Sequence, residues 1–161
     1  KFSAGEYFVP EMLMSAKAMK AGLDIIRPFM IGDKSMSAGT VILGTVQGDM
    51  HDIGKNLVGM MLEGAGFEVL DLGINTAPEK FVETAKENPD ALIGLSALLT
   101  VTMEKMRTTV EALRESGLQN RVMIGGAPVT EQFAEEIGAQ GYAADAAQAV
   151  RVAKDLVKEA A

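Results

Sequence analysis

The sequence predicts an α/β fold: a five-stranded, parallel, doubly wound sheet of the Rossmann or flavodoxin type, preceded by a separate helical segment. Three observations carry this. From Thr40 onward, short aliphatic runs rich in β-branched residues alternate with longer stretches of helical spacing. Glycine, proline or threonine punctuates most of these stretches where a helix should stop or start. A chain of 161 residues with 48% apolar content is large enough for one complete core.

The elements follow in order. "TVILGTV" (40–46) reads as a strand buried on both faces. "GKNLVGMMLEGAG" (54–66) is helical, with Leu57, Met61 and Leu62 on one face and glycines at its end. "FEVLDLG" (67–73) is a second strand, and "APEKFVETAKEN" (77–88) a helix opened by proline. "DALIGLS" (90–96) is a third strand, and "TVTMEKMRTTVEALRESG" (100–117) a helix stopped by glycine. "RVMIGG" (121–126) is a fourth strand; "TEQFAEEIG" (130–138) is a helix with Thr130 as N-cap. "GYAAD" (141–145) is a short fifth strand, and 146–160 a closing helix. Strand–helix alternation of this kind gives a parallel sheet covered on both faces, with ligands at the carboxyl ends of its strands. The loops at those ends are 47–54, 72–77, 96–100, 125–129 and 143–146.

Residues 1–39 are different. "VPEMLMSAKAMKAGLDIIRPFM" (9–30) is a helix pattern in which Met12, Ala16, Met19 and Leu23 recur at helical spacing; 32–39 is a linker. One helix cannot bury its own stripe, so it must pack on the sheet domain, on a partner or on missing neighbours. The 11 methionines suit adaptable packing surfaces.

Composition narrows the function. A net charge of −7 argues against nucleic acid or an anionic membrane as the main partner. No apolar run reaches the roughly 20 residues that span a bilayer, and no signal peptide is visible, so a cytoplasmic location is the expectation. Absence of cysteine excludes disulfides, thiol nucleophiles and Cys-zinc sites. The chain begins "KFSAGEYF", without an initiator methionine, and is expected to be a fragment or a processed form.

The only histidine, His51, lies in "GDMHDIGKN" (48–56), directly after the first strand. A phosphate-binding loop does not fit: five residues separate the glycines, Asn56 stands where a hydroxyl is needed, and two aspartates would repel phosphate. The G-x-G-x-x-G dinucleotide fingerprint is absent. A phospho-acceptor receiver would need an aspartate where the third strand ends in Ser96. Hydrolytic zinc needs about three protein ligands, which His51 with Asp49 and Asp52 hardly supplies. A Ser96–His51–Asp49 triad lacks the nucleophile elbow, and a phosphohistidine carrier would have only Lys55 in support. Alone, a loop histidine is ordinarily just a polar side chain, Gly125–Gly126 a turn, and Ser96 or Thr100 a helix cap. Together at one strand-end crevice they suit a metal that arrives inside an organic macrocycle. The protein then supplies a single axial imidazole, oriented by Asp49 through its other ring nitrogen, with hydroxyls nearby on Ser96, Thr100 and Thr102. The Gly125–Gly126 pair would let a bulky group approach the backbone.

Asp49-x-His51-x-x-Gly54, Ser96-x-Leu98 and Gly125–Gly126 together resemble the signature of cobalamin-binding domains of the methionine synthase type, in order and spacing over residues 40–160. The resemblance implies that 40–161 is the cobalamin-binding domain, that 1–31 is the C-terminal part of a truncated helical cap, and that 32–39 joins them. It implies that His51 is the axial cobalt ligand, replacing the cofactor's own base, with Asp49 and then Thr102 behind it. The family has serine where Thr102 stands, so the hydroxyl is kept and a methyl added. Gly48, Met50, Asp52, Ile53, Gly54, Ser96, Leu98, Thr100, Gly125, Gly126 and Ala146 would contact the cofactor or line the slot for its nucleotide tail. Phe8, Met12 and Leu13 would face the upper side of the corrin. The cofactor would be cobalamin, as methylcobalamin, cob(I)alamin or a related corrinoid. The size resembles the methyl carriers of three-component methyltransferase systems. Their partners are a substrate-specific methyltransferase, a folate or thiol acceptor methyltransferase and a reductive activation protein. A fragment of methionine synthase, a B12-sensing regulator, a mutase domain and an α/β module without cobalamin stay open as alternatives. The truncated cap predicts an exposed apolar stripe over 12–26, and association in solution to cover it.

Overall fold

The computed structural model describes residues 1, 4–26 and 37–158, without the side chains of Lys20, Leu23 and Asp24. Helix α1 (Val9–Ile26) is followed by β1 (Thr40–Thr45), α2 (Ile53–Gly64), β2 (Glu68–Asp71), α3 (Pro78–Glu87) and β3 (Leu92–Ser96). Then come α4 (Thr100–Glu115), β4 (Val122–Gly125), α5 (Glu131–Ile137), β5 (Gly141–Ala143) and α6 (Ala146–Lys158). The strands form one parallel sheet in the order β2-β1-β3-β4-β5. This is the doubly wound arrangement that the alternation predicts. Its chain order reverses between β1 and β3, so a crevice opens where the loops after those two strands diverge.

Period-2 alternation divides the strand side chains between two cores. Ile42, Ile93, Val122 and Ile124 pack with Phe81, Met106, Val110, Ala134 and Ile137 beneath α3, α4 and α5. Val41, Leu92 and Met123 pack with Leu62, Phe67, Ala153 and Leu156 beneath α2 and α6. Most of the expected strands prove shorter than their apolar runs. The second ends at Asp71: its carboxylate accepts the Gly73 amide at 2.8 Å and Gly73 turns at φ +82°, so the regular register stops there although the Gly73 carbonyl still accepts the Thr45 amide. Thr130 caps α5 as expected, its hydroxyl accepting the Phe133 amide at 3.2 Å.

Helix α1 lies against α2. Met12 and Ala16 are buried, and Met19 reaches Gly64. Leu13, Met14, Ile25 and Ile26 are exposed. The helix was expected to run to residue 30; 27–30, and 32–36 of the linker, lie outside the described residues, as do 159–161 at the chain end.

Candidate ligand site

The loop after β1 is built around Asp49, which is completely buried. Its Oδ1 accepts the His51 main-chain N–H at 3.1 Å and lies 2.7 Å from His51 Nδ1. Its Oδ2 accepts the Thr102 hydroxyl at 2.6 Å and the Leu98 and Leu99 amides at 2.7 and 3.3 Å. Burial alone would raise the carboxyl pKa. Hydrogen bonds from Thr102, Leu98 and His51 outweigh it and hold Asp49 well below the usual carboxylate range. An ionised Asp49 only accepts, so His51 Nδ1 carries a proton, and in the neutral imidazole Nε2 is left with a lone pair. The His51 side chain is 50% exposed, and Nε2 has no hydrogen-bond partner among the described residues.

Two further residues fix this loop. The buried Thr45 hydroxyl donates to the His51 carbonyl at 2.9 Å. The Asn75 side chain accepts the Gly48 amide at 2.8 Å, and its main-chain N–H donates to the Asp49 carbonyl at 3.0 Å. Asn75 adopts φ +50°, a conformation asparagine tolerates better than most residues. Thr45 and Asn75 escape sequence reasoning. A threonine at the end of an aliphatic run looks like any strand residue, and the asparagine's only local mark is its turn-rich surroundings, "GINTAP" (73–78).

Beside His51 a slot of about 580 Å³ runs down between α2 and α6 onto the sheet. Leu43, Gly94 and Met123 form its floor, Val58 and Ala149 belong to its walls, and Met50 and Ile53 stand exposed at its mouth. The slot exists because small residues line it. A Cβ on Gly126, at φ +140°, would run into the Ala97 carbonyl oxygen, and one on Gly125 would lie 2.9 Å from the Ala143 carbonyl oxygen. Gly126 therefore serves close packing of the β4 turn against the loop after β3, and Gly125 close packing of β4 against β5.

The expected site residues divide cleanly. Met50, His51, Asp52, Ile53, Gly54, Ser96, Leu98, Gly125, Gly126 and Ala146 all line the slot. Asp49 and Thr102 lie buried behind His51, and Gly48, exposed in the loop, is held by the Asn75 side chain. Thr100 does not line the slot; it is exposed in the first turn of α4, where the chain has already turned away from the crevice. Phe8, Met12 and Leu13, expected over the upper face of a corrin, lie apart from the slot: α1 lies on α2, Phe8 is 69% exposed and Met12 is buried.

No group of three or more His, Cys, Asp or Glu side chains among the described residues could hold a bare metal ion. The arrangement instead offers one imidazole nitrogen, an ionised carboxylate behind it and a long apolar slot alongside. That donor set fits a metal already ligated in a plane by a macrocycle that bears a tail. Cobalamin is such a group.

The family described as "B12 binding domain" matches residues 39–151, and a second family of the same description matches 1–27. Dimethylamine corrinoid protein 3 of Methanosarcina mazei is 46% identical over 160 residues, covering 98% of this chain and 96% of its own. Dimethylamine corrinoid protein 2 of Methanosarcina acetivorans is 46% identical, over 97% of this chain and 74% of its own. Among solved structures, a chain of the methanol:cobalamin methyltransferase complex from Methanosarcina barkeri superposes with a TM-score of 0.86 at 31% identity, over 98% of this chain and 60% of that one.

Proposed function

Because the chain belongs to the B12-binding domain family, we propose that it is a corrinoid protein that carries a methyl group between two methyltransferases. One would methylate the cofactor from a substrate; the other would pass the methyl to a folate or thiol acceptor. A reductive activation protein would be a third partner. Relatives named as dimethylamine corrinoid proteins, and the likeness to a chain of a methyltransferase complex, support this reading.

The observation that carries it is the orientation of His51. Its Nδ1 is tied to Asp49 at 2.7 Å, and its Nε2 stands free beside the slot. When bound, the cofactor supplies a cobalt centre that takes up and gives up the methyl group. His51 would ligate that centre from below, in the base-off, histidine-on manner. The slot would receive the displaced nucleotide tail, between Ser96, Gly125 and Gly126 on one side and α2 on the other. Asp49 fixes the imidazole tautomer and the orientation of the ring. Thr102 holds Asp49 in place: its hydroxyl donates directly to the carboxylate, so the added methyl does not break this link.

The test is an absorption spectrum after mixing the protein with hydroxocobalamin and desalting. Wild type should retain corrinoid with a base-off, histidine-on spectrum, and His51→Ala should lose that signature. A folded wild type that retains no corrinoid sinks the proposal.

A further inference from the structure

Lys55 is the one buried lysine among the described residues, with 2% of its surface exposed, and ligation by His51 makes no use of it. It stands in the first turn of α2 and is part of the slot wall. Its Nζ donates to both carboxylate oxygens of Asp71, at 2.7 and 2.6 Å, and to the Asn56 side-chain oxygen at 2.7 Å. All three of its donors are therefore used.

The wall needs such an anchor. Helix α2 begins without a side-chain cap, because its N-cap residue Asp52 instead accepts Asn56 Nδ2 at 3.0 Å. Its sequence, "IGKNLVGMMLEG" (53–64), holds three glycines, which weaken a helix intrinsically. Lys55 ties this end to Asp71, at the end of the edge strand β2. Asp71 is fixed in turn by the Gly73 amide at 2.8 Å, and the Gly73 carbonyl accepts the Thr45 amide at 2.9 Å. The His51 loop has its own direct anchors in Asp49, Thr45 and Asn75, and the Lys55 ammonium bonds to none of its residues.

We propose that Lys55 is a positioning residue for the nucleotide-tail slot. Through Asp71 and Asn56 it sets the distance of the α2 wall from the sheet, and so governs retention of the tail independently of ligation by His51. The inference rests on the proposed corrinoid binding. Lys55→Met keeps the apolar stem and removes the charge, and Asp71, 46% exposed, is left to water and not stranded.

The experiment compares retention of cobalamin with that of aquacobinamide, which lacks the nucleotide tail, in wild type, Lys55→Met and the milder Asp71→Asn. Lys55→Met should retain cobalamin about ten-fold more weakly, keep the histidine-on spectrum of the fraction that binds, and hold cobinamide as wild type does. Asp71→Asn should shift the same ratio by less, and stands in if the lysine variant does not fold. A purely structural role would weaken both corrinoids alike; that result, or no change in either, overturns the proposal. Wild type that retains neither corrinoid removes the binding reading itself, before any variant is compared.

Discussion

The two halves of the site are built on opposite principles. Behind His51, position is set by polar groups that are each satisfied: Asp49 is fully buried and accepts from the His51 main chain, Thr102 and two further amides, with the imidazole on its remaining side. Beside it, the slot is lined by small residues, among them Ala146 and Ala149, with Gly94, Gly125 and Gly126 packed tightly at its base and rim. A buried network punishes any change of partner, because each orphaned donor costs energy. A slot of small residues tolerates additions energetically and fails only as a receptacle. Substitutions should separate the two halves along that line.

Gly126 should break the distinction, and with the largest effect. It belongs to the slot, yet at φ +140° an added Cβ meets the Ala97 carbonyl oxygen. Gly126→Ala should cost about 3 kcal/mol or more in urea unfolding. Next comes the network. Asp49→Ala leaves the His51 ring and main-chain N–H groups and the Leu98 amide without their acceptor, while the Thr102 hydroxyl keeps only the Leu99 carbonyl; it should cost about 2–4 kcal/mol, with loss of any histidine-on spectrum.

The same carboxylate gives a pH signature. Its folded pKa is depressed, so its stabilisation is fully present above the ordinary carboxylate pKa of about 3.9 and is lost as pH falls below that towards the folded value. Asp49→Asn should therefore lose stability at neutral pH but show a shallower acid limb than wild type in unfolding titrations. Thr102→Val should cost about 1–2 kcal/mol, with Thr102→Ser closer to wild type because it keeps the hydroxyl. The smallest effect on stability sharpens the comparison most. Ala149→Leu grows into the slot, so unfolding free energy should change by less than about 1 kcal/mol, while cobalamin retention is lost. Equal retention by that variant would mean that the slot does not receive the tail.

How much of this was legible in the sequence varies by residue. Asp49 and His51 are two apart in a tight loop, where the carboxylate can reach the imidazole, so spacing was enough for that pair. Thr102 was legible as a hydroxyl on the right loop. Thr100, equally a hydroxyl, was placed in the slot and is not there, because the start of α4 turns it outward. Lys55 and Asp71 are 16 residues apart in different elements. The only hint was one cation in a first helical turn otherwise made of small, apolar and amide residues. The helical spacing of α1 predicted a stripe, and packing on α2 buries Met12 and Ala16 of it while leaving Met14, Ile25 and Ile26 to solvent.

The sequence by itself determined the element order, the two-sided sheet and the end of it that holds the site. Those follow from local periodicity and from the fixed handedness of parallel crossovers. Only the tertiary structure decided which loops meet. The Asp49 carboxylate and the Thr102 hydroxyl, 53 residues apart, touch because β1 and β3 are neighbours in register, with Thr45 opposite Ser96. The slot is likewise a property of packing, since its width depends on how far α2 and α6 stand from the sheet, and no local pattern records that distance.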